Sequence, residues 1–167
     1  RAGWGLRLER PGLPYDDRSG PVDGEQTAQR AELSAAVHAV AEAGGPLEVV
    51  TDSRYVRNGV VALRAGACHR EWTHSDVWAR VAPHCRSGLL SARWVKAHLD
   101  EEAALERGVA AEDWAGNAAA DRLAGAAAAA RLPPQALCAA RDRQVDALQA
   151  AQQVLAAVEL AALKAGH

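Results

Sequence analysis

The chain has 167 residues, a formal net charge of −2 and 49% apolar residues, with no Phe and no Met, so Trp and Leu must supply the bulky packing. That length is one domain's worth and can bury a core without disulfides. The three scattered cysteines, Cys68, Cys85 and Cys138, lack CxxC spacing and argue for a reducing, intracellular setting. The N-terminal residues contain no secretory apolar run, and charges interrupt every candidate membrane span. A near-neutral balance offers no general basic surface, so nucleic-acid binding would have to rest on local Arg clusters or a neighbouring domain. With no Met at its start, Arg1 is expected to lie inside a larger reading frame.

Ala2 to Glu9 alternates Trp4, Leu6 and Leu8 against Gly3, Gly5 and Arg7, the pattern of a half-buried strand. The turn-rich stretch Pro11 to Gly24 has room for one short strand, expected around Pro21–Val22. From Thr27 to about Ala43 the period becomes helical, with Leu33, Val37 and Val40 on one stripe and Gly44-Gly45-Pro46 as the stop. Leu47 to Thr51 reads as a short apolar strand, and Ser53 can cap a helix carrying Val56, Val60 and Leu63. A further capped helix is expected from Ser75, with Trp78 and Val81 inward and an end near Pro83 or shortly after. Ser91 to Ala97 alternates again and reads as a strand ending at His98. A charged loop from Leu99 to about Gly116 should then lead into a helix capped by Asn117.

Strands interleaved with helices give an α/β sheet protein. After Leu132-Pro133-Pro134 an Ala/Gln/Leu segment carries Leu137, Val145, Leu148 and Leu155, which suggest an amphipathic helix packing on its own domain or on a partner. The expected organisation is therefore a domain over 1–131 and a helical appendage over 132–167.

Three carboxylates fall where chemistry would want them. Glu32 is near the start of the first helix, Asp52 lies just past the carboxyl end of strand LEVVT, and Asp121 is in the first turns of the helix opened by Asn117. The carboxyl edge of strands is where open α/β sheets place their sites. Converging carboxylates repel unless cations sit between them, and hard oxygen ligands favour Mg²⁺ or Mn²⁺. A pair of such ions can clamp the attacking water and leaving oxygen of a phosphodiester hydrolysis, with the His98 imidazole shuttling a proton. Singly, each residue has a plainer reading: a helix-dipole acid, a loop cap, a solvated helix charge and a structural histidine.

Their joint context resembles type 1 ribonuclease H. Gln26-Thr27-Ala28-Gln29-Arg30-Ala31-Glu32-Leu33 is similar to the family's QTNxRAEL block, Thr51-Asp52-Ser53 to its TDS block, and Trp94-Val95-Lys96-Ala97-His98 to its WVKGH block. Gly116 to Ala124 is similar to its GNxxADxLA block. The four blocks occur in the family's order, over about residues 2 to 130. The resemblance implies a mixed sheet flanked by helices and Glu32, Asp52 and Asp121 as ligands for two Mg²⁺ or Mn²⁺ ions. It also implies His98 as proton shuttle and a substrate face that includes Thr27 and Gln29, beside which Arg54 and Asn117 are further candidates for substrate binding.

The departures are informative. The family's first catalytic Asp lies in a central strand upstream of the AGWG-like one, so that strand is expected to precede Arg1. Without it the neighbouring edges would be unpaired and the chain poorly active. Ala28 stands where the family usually has Asn. The stretch Arg64 to Thr73 lacks a basic protrusion, leaving Arg54, Arg57, Arg64 and Arg70 as a modest positive strip. The insertion between His98 and Asn117 resembles a long His-loop variant of retroelement-related frames. The missing protrusion and the internal start suggest a retroelement polyprotein, with an upstream reverse transcriptase or other domain as partner. Cys68, His69, His74, His84 and Cys85 match no familiar zinc spacing, and their default place is at helix ends.

Two functions from different classes follow. One is an endonuclease for the RNA strand of RNA–DNA hybrids, distinguishing RNA through its 2′-OH groups. The other is a catalytically degenerate tether that holds nucleic acid without cutting it.

Overall fold

The alternation of Trp4, Leu6 and Leu8 does form a strand. In the computed structural model, which describes residues 1–96, 99–130 and 143–145, β1 (Gly3–Leu8) runs antiparallel to β2 (Asp16–Pro21), with Gly3 opposite Pro21 and Leu8 opposite Asp16. The second strand lies earlier than its composition suggests. Asp-Asp-Arg-Ser-Gly-Pro is poor strand material on its own. It is held by the β1 ladder and by Asp17, which accepts two hydrogen bonds from Arg7 at 2.7 Å each.

Helix α1 (Ala28–Ala43) begins where expected, because the Thr27 hydroxyl accepts from the Arg30 N–H. It stops at Gly44, whose left-handed backbone a β-carbon would strain. Strand β3 (Leu47–Thr51) follows, then α2 (Arg54–Arg64), capped by Ser53 through the Val56 N–H. Helix α3 (Ser75–Arg86) begins at Ser75 and ends shortly after Pro83, as expected. Its cap residue is His74, which makes no side-chain cap bond. Strand β4 (Leu90–Trp94) pairs in parallel with β3, Leu47 opposite Leu90 and Thr51 opposite Trp94. It ends sooner than the alternation of Val95 and Ala97 suggests.

The stretch read as a charged loop contains a helix. Asp100 caps α4 (Glu101–Glu106), accepting from the Ala103 N–H at 2.7 Å. Helix α5 (Ala111–Ala130) then starts six residues before Asn117, which is therefore an interior residue and not a cap. Acidic Glu112 and Asp113 in its first turn complement the helix dipole.

The chain divides into two units, Arg1–Arg131 and Leu132–His167. Apart from Arg143–Val145, the second lies outside the described residues, and with it the proposed stripe of Leu137, Leu148 and Leu155. Within the first, Leu33, Val56, Val60, Leu63, Trp78, Val81 and Leu90 join α1, α2, α3 and β4 in one buried cluster. A smaller cluster packs Leu6 and Leu8 of β1 on Ala39 of α1. The other face of β1 is covered too. Gly3 and Gly5 let the α5 backbone close onto the strand, and a β-carbon on either would meet α5 backbone atoms within 2.6 Å. The half-buried strand of the sequence reading is thus enclosed on both faces, one of them by a glycine-enabled contact.

The α/β class is as expected, a mixed arrangement of strands flanked by helices. Among the described residues the strands form two separate two-stranded sheets, β1–β2 and β3–β4. Between β1 and β3 runs a groove of about 320 Å³, walled by both strands and by α1 and α5.

Candidate active site

One end of this groove gathers the acidic residues singled out in the sequence. Glu32, on the second turn of α1, Asp52, one residue past β3, and Asp121, midway along α5, all line it. Asn117, one turn before Asp121, lines it as well and donates from Nδ2 to Asp52 Oδ2 at 3.4 Å. Three elements distant in sequence thus bring their carboxylates into one groove.

The electrostatics record that convergence. Glu32 is held above the usual carboxylate range, chiefly by burial and further by the charges of Asp52 and Asp121. A hydrogen bond from Ser53 opposes the shift. An ionised Glu32 is therefore costly here unless a cation or proton shares the site. The donor set, carboxylate oxygens with an amide beside them, suits a hard divalent cation. Among the described residues no three of His, Cys, Asp and Glu are drawn together closely enough to ring one ion. That holds for the Cys68, His69, His74, His84 and Cys85 group as well. Cys85 is buried, and Cys68 is exposed.

The remaining candidates lie around this centre. Thr27 and Gln29 sit at the start of α1, within about a turn and a half before Glu32, Thr27 half-buried and Gln29 exposed. Arg54 stands on the other side of Asp52. Its guanidinium lies over the Trp94 ring, 4.9 Å from the centroid, and Trp94 Nε1 donates to the Asp52 carbonyl at 2.9 Å. Of the expected positive strip, Arg64 is committed elsewhere, donating to the Gly88 and Leu90 carbonyls. His98 lies outside the described residues.

Some supporting residues were not apparent from the sequence. Arg93 of β4 binds Glu48 and also both oxygens of Asp113, so it ties β4 to the first turn of α5. Burial does not obscure this pair, since Asp113 is pulled below its ordinary range by Arg93. Ser53 was legible as a cap, but its bond to Glu32 was not. Trp94 was legible as a motif residue, and its hold on the Asp52 backbone appears only in three dimensions. Nothing in the spacing of Arg93, Asp113 and Glu48 signals their meeting.

Comparison with known proteins identifies the family. The family model described as RNase H matches residues 1–129. A protein named ribonuclease H from Gluconobacter oxydans (strain 621H) is 32% identical over 110 residues, covering 60% of this chain and 72% of its own. One of the same name from Granulibacter bethesdensis is 35% identical over 86 residues, covering 46% of this chain and 57% of its own. Another from Geotalea uraniireducens is 32% identical over 106 residues, covering 58% and 71%. With the family model spanning most of the chain and the acidic groove in place, the chain belongs to the ribonuclease H family.

Proposed function

We propose that this chain is the nuclease domain of an enzyme that hydrolyses the RNA strand of RNA–DNA hybrids. The observation that carries the reading is that Glu32, Asp52 and Asp121 line one groove, where burial first and their like charge next raise the Glu32 carboxyl. Proteins avoid such repulsion unless it serves a ligand or a reaction.

In this reading Glu32, Asp52 and Asp121 hold Mg²⁺ or Mn²⁺. A bound pair of such ions supplies activation of the attacking water and neutralisation of the leaving oxygen. Asn117 holds one oxygen of Asp52 so that the other faces the groove, and Ser53 keeps Glu32 ionisable despite its burial. Trp94 fixes the Asp52 backbone from behind. Thr27, Gln29 and Arg54 flank the centre and contact the hybrid, Thr27 and Arg54 at its phosphates. His98, from the resemblance of its motif, moves a proton to or from the departing product.

The groove between β1 and β3 suggests how the set is completed. Its walls are β1 and β3, two strands that each have one partner among the described residues. Such strands ask for pairing. A strand laid between them, carrying the family's remaining Asp at the level of Asp52, would join the two sheets and add a fourth carboxylate. An intracellular parent protein and a hybrid-binding neighbour domain belong to the same reading.

The test is Mg²⁺-dependent cleavage of a labelled RNA–DNA hybrid by the chain, alone and with a strand bearing the family's Asp fused ahead of Arg1. Asp52→Asn serves as the control. Cutting by the wild type and loss in Asp52→Asn support the nuclease. A folded protein that binds the hybrid in Mg²⁺ without cutting it would leave the tether as the function.

A further inference from the structure

Past Asp52 the surface carries a second, shallow groove of about 700 Å³, lined by Arg54, Arg57 and Asn58 of α2 and by Glu48, Arg93 and Trp94 of the β3–β4 pair. It adjoins the acidic centre, because Trp94 Nε1 donates to the Asp52 carbonyl. Its three arginines are not equivalent. Arg93 is committed to Glu48 and Asp113. Arg54 and Arg57 are exposed, and among the described residues neither has a carboxylate partner. Arg57 donates to the neighbouring Asn58 amide oxygen at 3.0 Å. Three residues apart on α2, the two stand on one helix face with their β-carbons about 5–6 Å from each other. A chain of net charge −2 thus places two uncompensated cations beside its acidic centre.

The stack of Arg54 on Trp94 narrows what such a groove can take. The guanidinium lies over the indole, 4.9 Å from the ring centroid, and Trp94 keeps 37% of its surface exposed. Stacking orders a long side chain in the free protein, so the ligand meets a plane already in place. With Trp94 against one face and Arg54 itself exposed, the opposite face is left for a flat partner. Nucleobases stack on guanidinium planes and aromatic rings with little regard to sequence. A base inside a duplex cannot do so, since its neighbours cover both of its faces. The chemistry therefore suits an unpaired nucleotide, with its phosphate within reach of Arg57.

We propose that Arg54, Trp94 and Arg57 form a dock for unpaired RNA, on the strand that is cut, where that strand runs beyond the end of the hybrid. An unpaired base stacks on the Arg54–Trp94 pair, and Arg57 meets an adjoining phosphate. The inference rests on the hybrid-cleaving reading given above, and it deepens the role of Arg54. The N–H edge of its guanidinium serves a phosphate of the hybrid while its face takes the base. The preferred substrate is then a junction between hybrid and single-stranded RNA instead of a blunt hybrid.

The experiment compares binding of a blunt hybrid with that of the same hybrid carrying an RNA overhang of about six nucleotides at one end or the other. EDTA is present so that nothing is cut, and each variant is read as its own ratio of overhang to blunt affinity. The wild type is expected to favour one RNA overhang about five- to tenfold, the scale of one stacked base. Arg54→Lys keeps the charge but has no plane, and it should bring the ratio close to one. Arg57→Lys should keep most of the preference, and Arg57→Ala should lower it. The same overhang on the DNA strand should give less. A wild-type ratio near one, a preference that survives in Arg54→Lys, or an equal gain from a DNA overhang overturns the dock, and the nuclease reading stands on cleavage of the blunt hybrid. A preference that Arg54→Lys abolishes, in a protein that Mg²⁺ does not make cut, supports the dock and removes the nuclease reading. A wild type that binds none of these substrates removes both.

Discussion

Gly5 of β1 lies so close to Ala120 of α5 that a β-carbon on the glycine would stand 2.3 Å from the Ala120 carbonyl oxygen. Ala120 immediately precedes Asp121, so this contact sets the height of the acidic residue above the strand. Gly5→Ala should therefore act on the site as well as on stability. The obstructing atoms are helix backbone and cannot swing aside, which places the cost near the upper end of overpacking, about 3 kcal/mol. Gly125→Ala on the same helix meets nothing within 4 Å and should stabilise by up to about 1 kcal/mol through helix propensity. Thermal melts of the two variants check the contrast. If Gly5→Ala melts like the wild type, α5 does not sit on β1 as described.

That contact also shows where sequence reading stops. The period of Trp4, Leu6 and Leu8 gives the strand and its apolar face, because side-chain alternation is a local property. Nothing local says that a helix more than 100 residues later will lie on the glycine face. Local chemistry likewise placed the Thr27 and Ser53 caps, the Gly44 stop and strand Leu47–Thr51 correctly. It misplaced β2, whose residues become a strand only through their pairing with β1. It also missed α4 and the early start of α5, where acidic residues that read as a solvated loop instead cap and open helices. The acidic constellation was legible because Glu32, Asp52 and Asp121 each sit in a recognisable block. The bond of Ser53 to Glu32 and the Arg93–Asp113 tie depend on contacts between distant segments and leave no spacing to read.

Glu32 provides a test of the repulsion at the site. Its carboxyl is raised by burial first and by Asp52 and Asp121 next. A carboxyl raised in the folded state binds its proton more tightly there than in the unfolded chain. Stability is thus lost as pH rises from the unfolded carboxyl range through the folded one, and at neutral pH the ionised group is a net burden. Glu32→Gln should melt about 2 °C higher than wild type at pH 7 without divalent metal. The advantage should vanish at a pH low enough to protonate Glu32 in both states. Added Mg²⁺ should raise the wild-type melting temperature more than that of the variant. A variant that melts lower at pH 7 would mean that Glu32 is stabilised by partners rather than repelled.

The Arg30–Asp76 pair makes the opposite prediction. Arg30 donates to both Asp76 oxygens, and this bond above all holds the Asp76 carboxyl down at about 2. A depressed carboxyl contributes stability above the unfolded value, and that stability is lost as pH falls through the folded one. Asp76 is 62% exposed at its side chain, so solvent screening limits the contribution to about 1 kcal/mol or less. Asp76→Asn should melt slightly below wild type at pH 7, and the two curves should converge between about pH 4 and pH 2. Urea melts across that interval measure it. A constant gap down to pH 2 would assign the difference to packing instead of charge.

Asn117 separates a positioning role from a structural one. It is an interior residue of α5 whose amide donates to Asp52 Oδ2 at 3.4 Å. Asn117→Ala removes that bond and improves helix propensity, so stability should change by less than about 1 kcal/mol. Asn117→Asp keeps the shape but replaces the donor with a carboxylate facing Asp52, Glu32 and Asp121. The added charge should lower the melting temperature in EDTA, and Mg²⁺ should restore more stability to this variant than to Asn117→Ala. In hybrid cleavage, Asn117→Ala should lower kcat about tenfold, the scale of one lost positioning hydrogen bond. Its KM should stay near the wild-type value. An Asn117→Ala protein that cuts at the wild-type rate would remove Asn117 from the site and leave Asp52 oriented by its backbone and Trp94 alone.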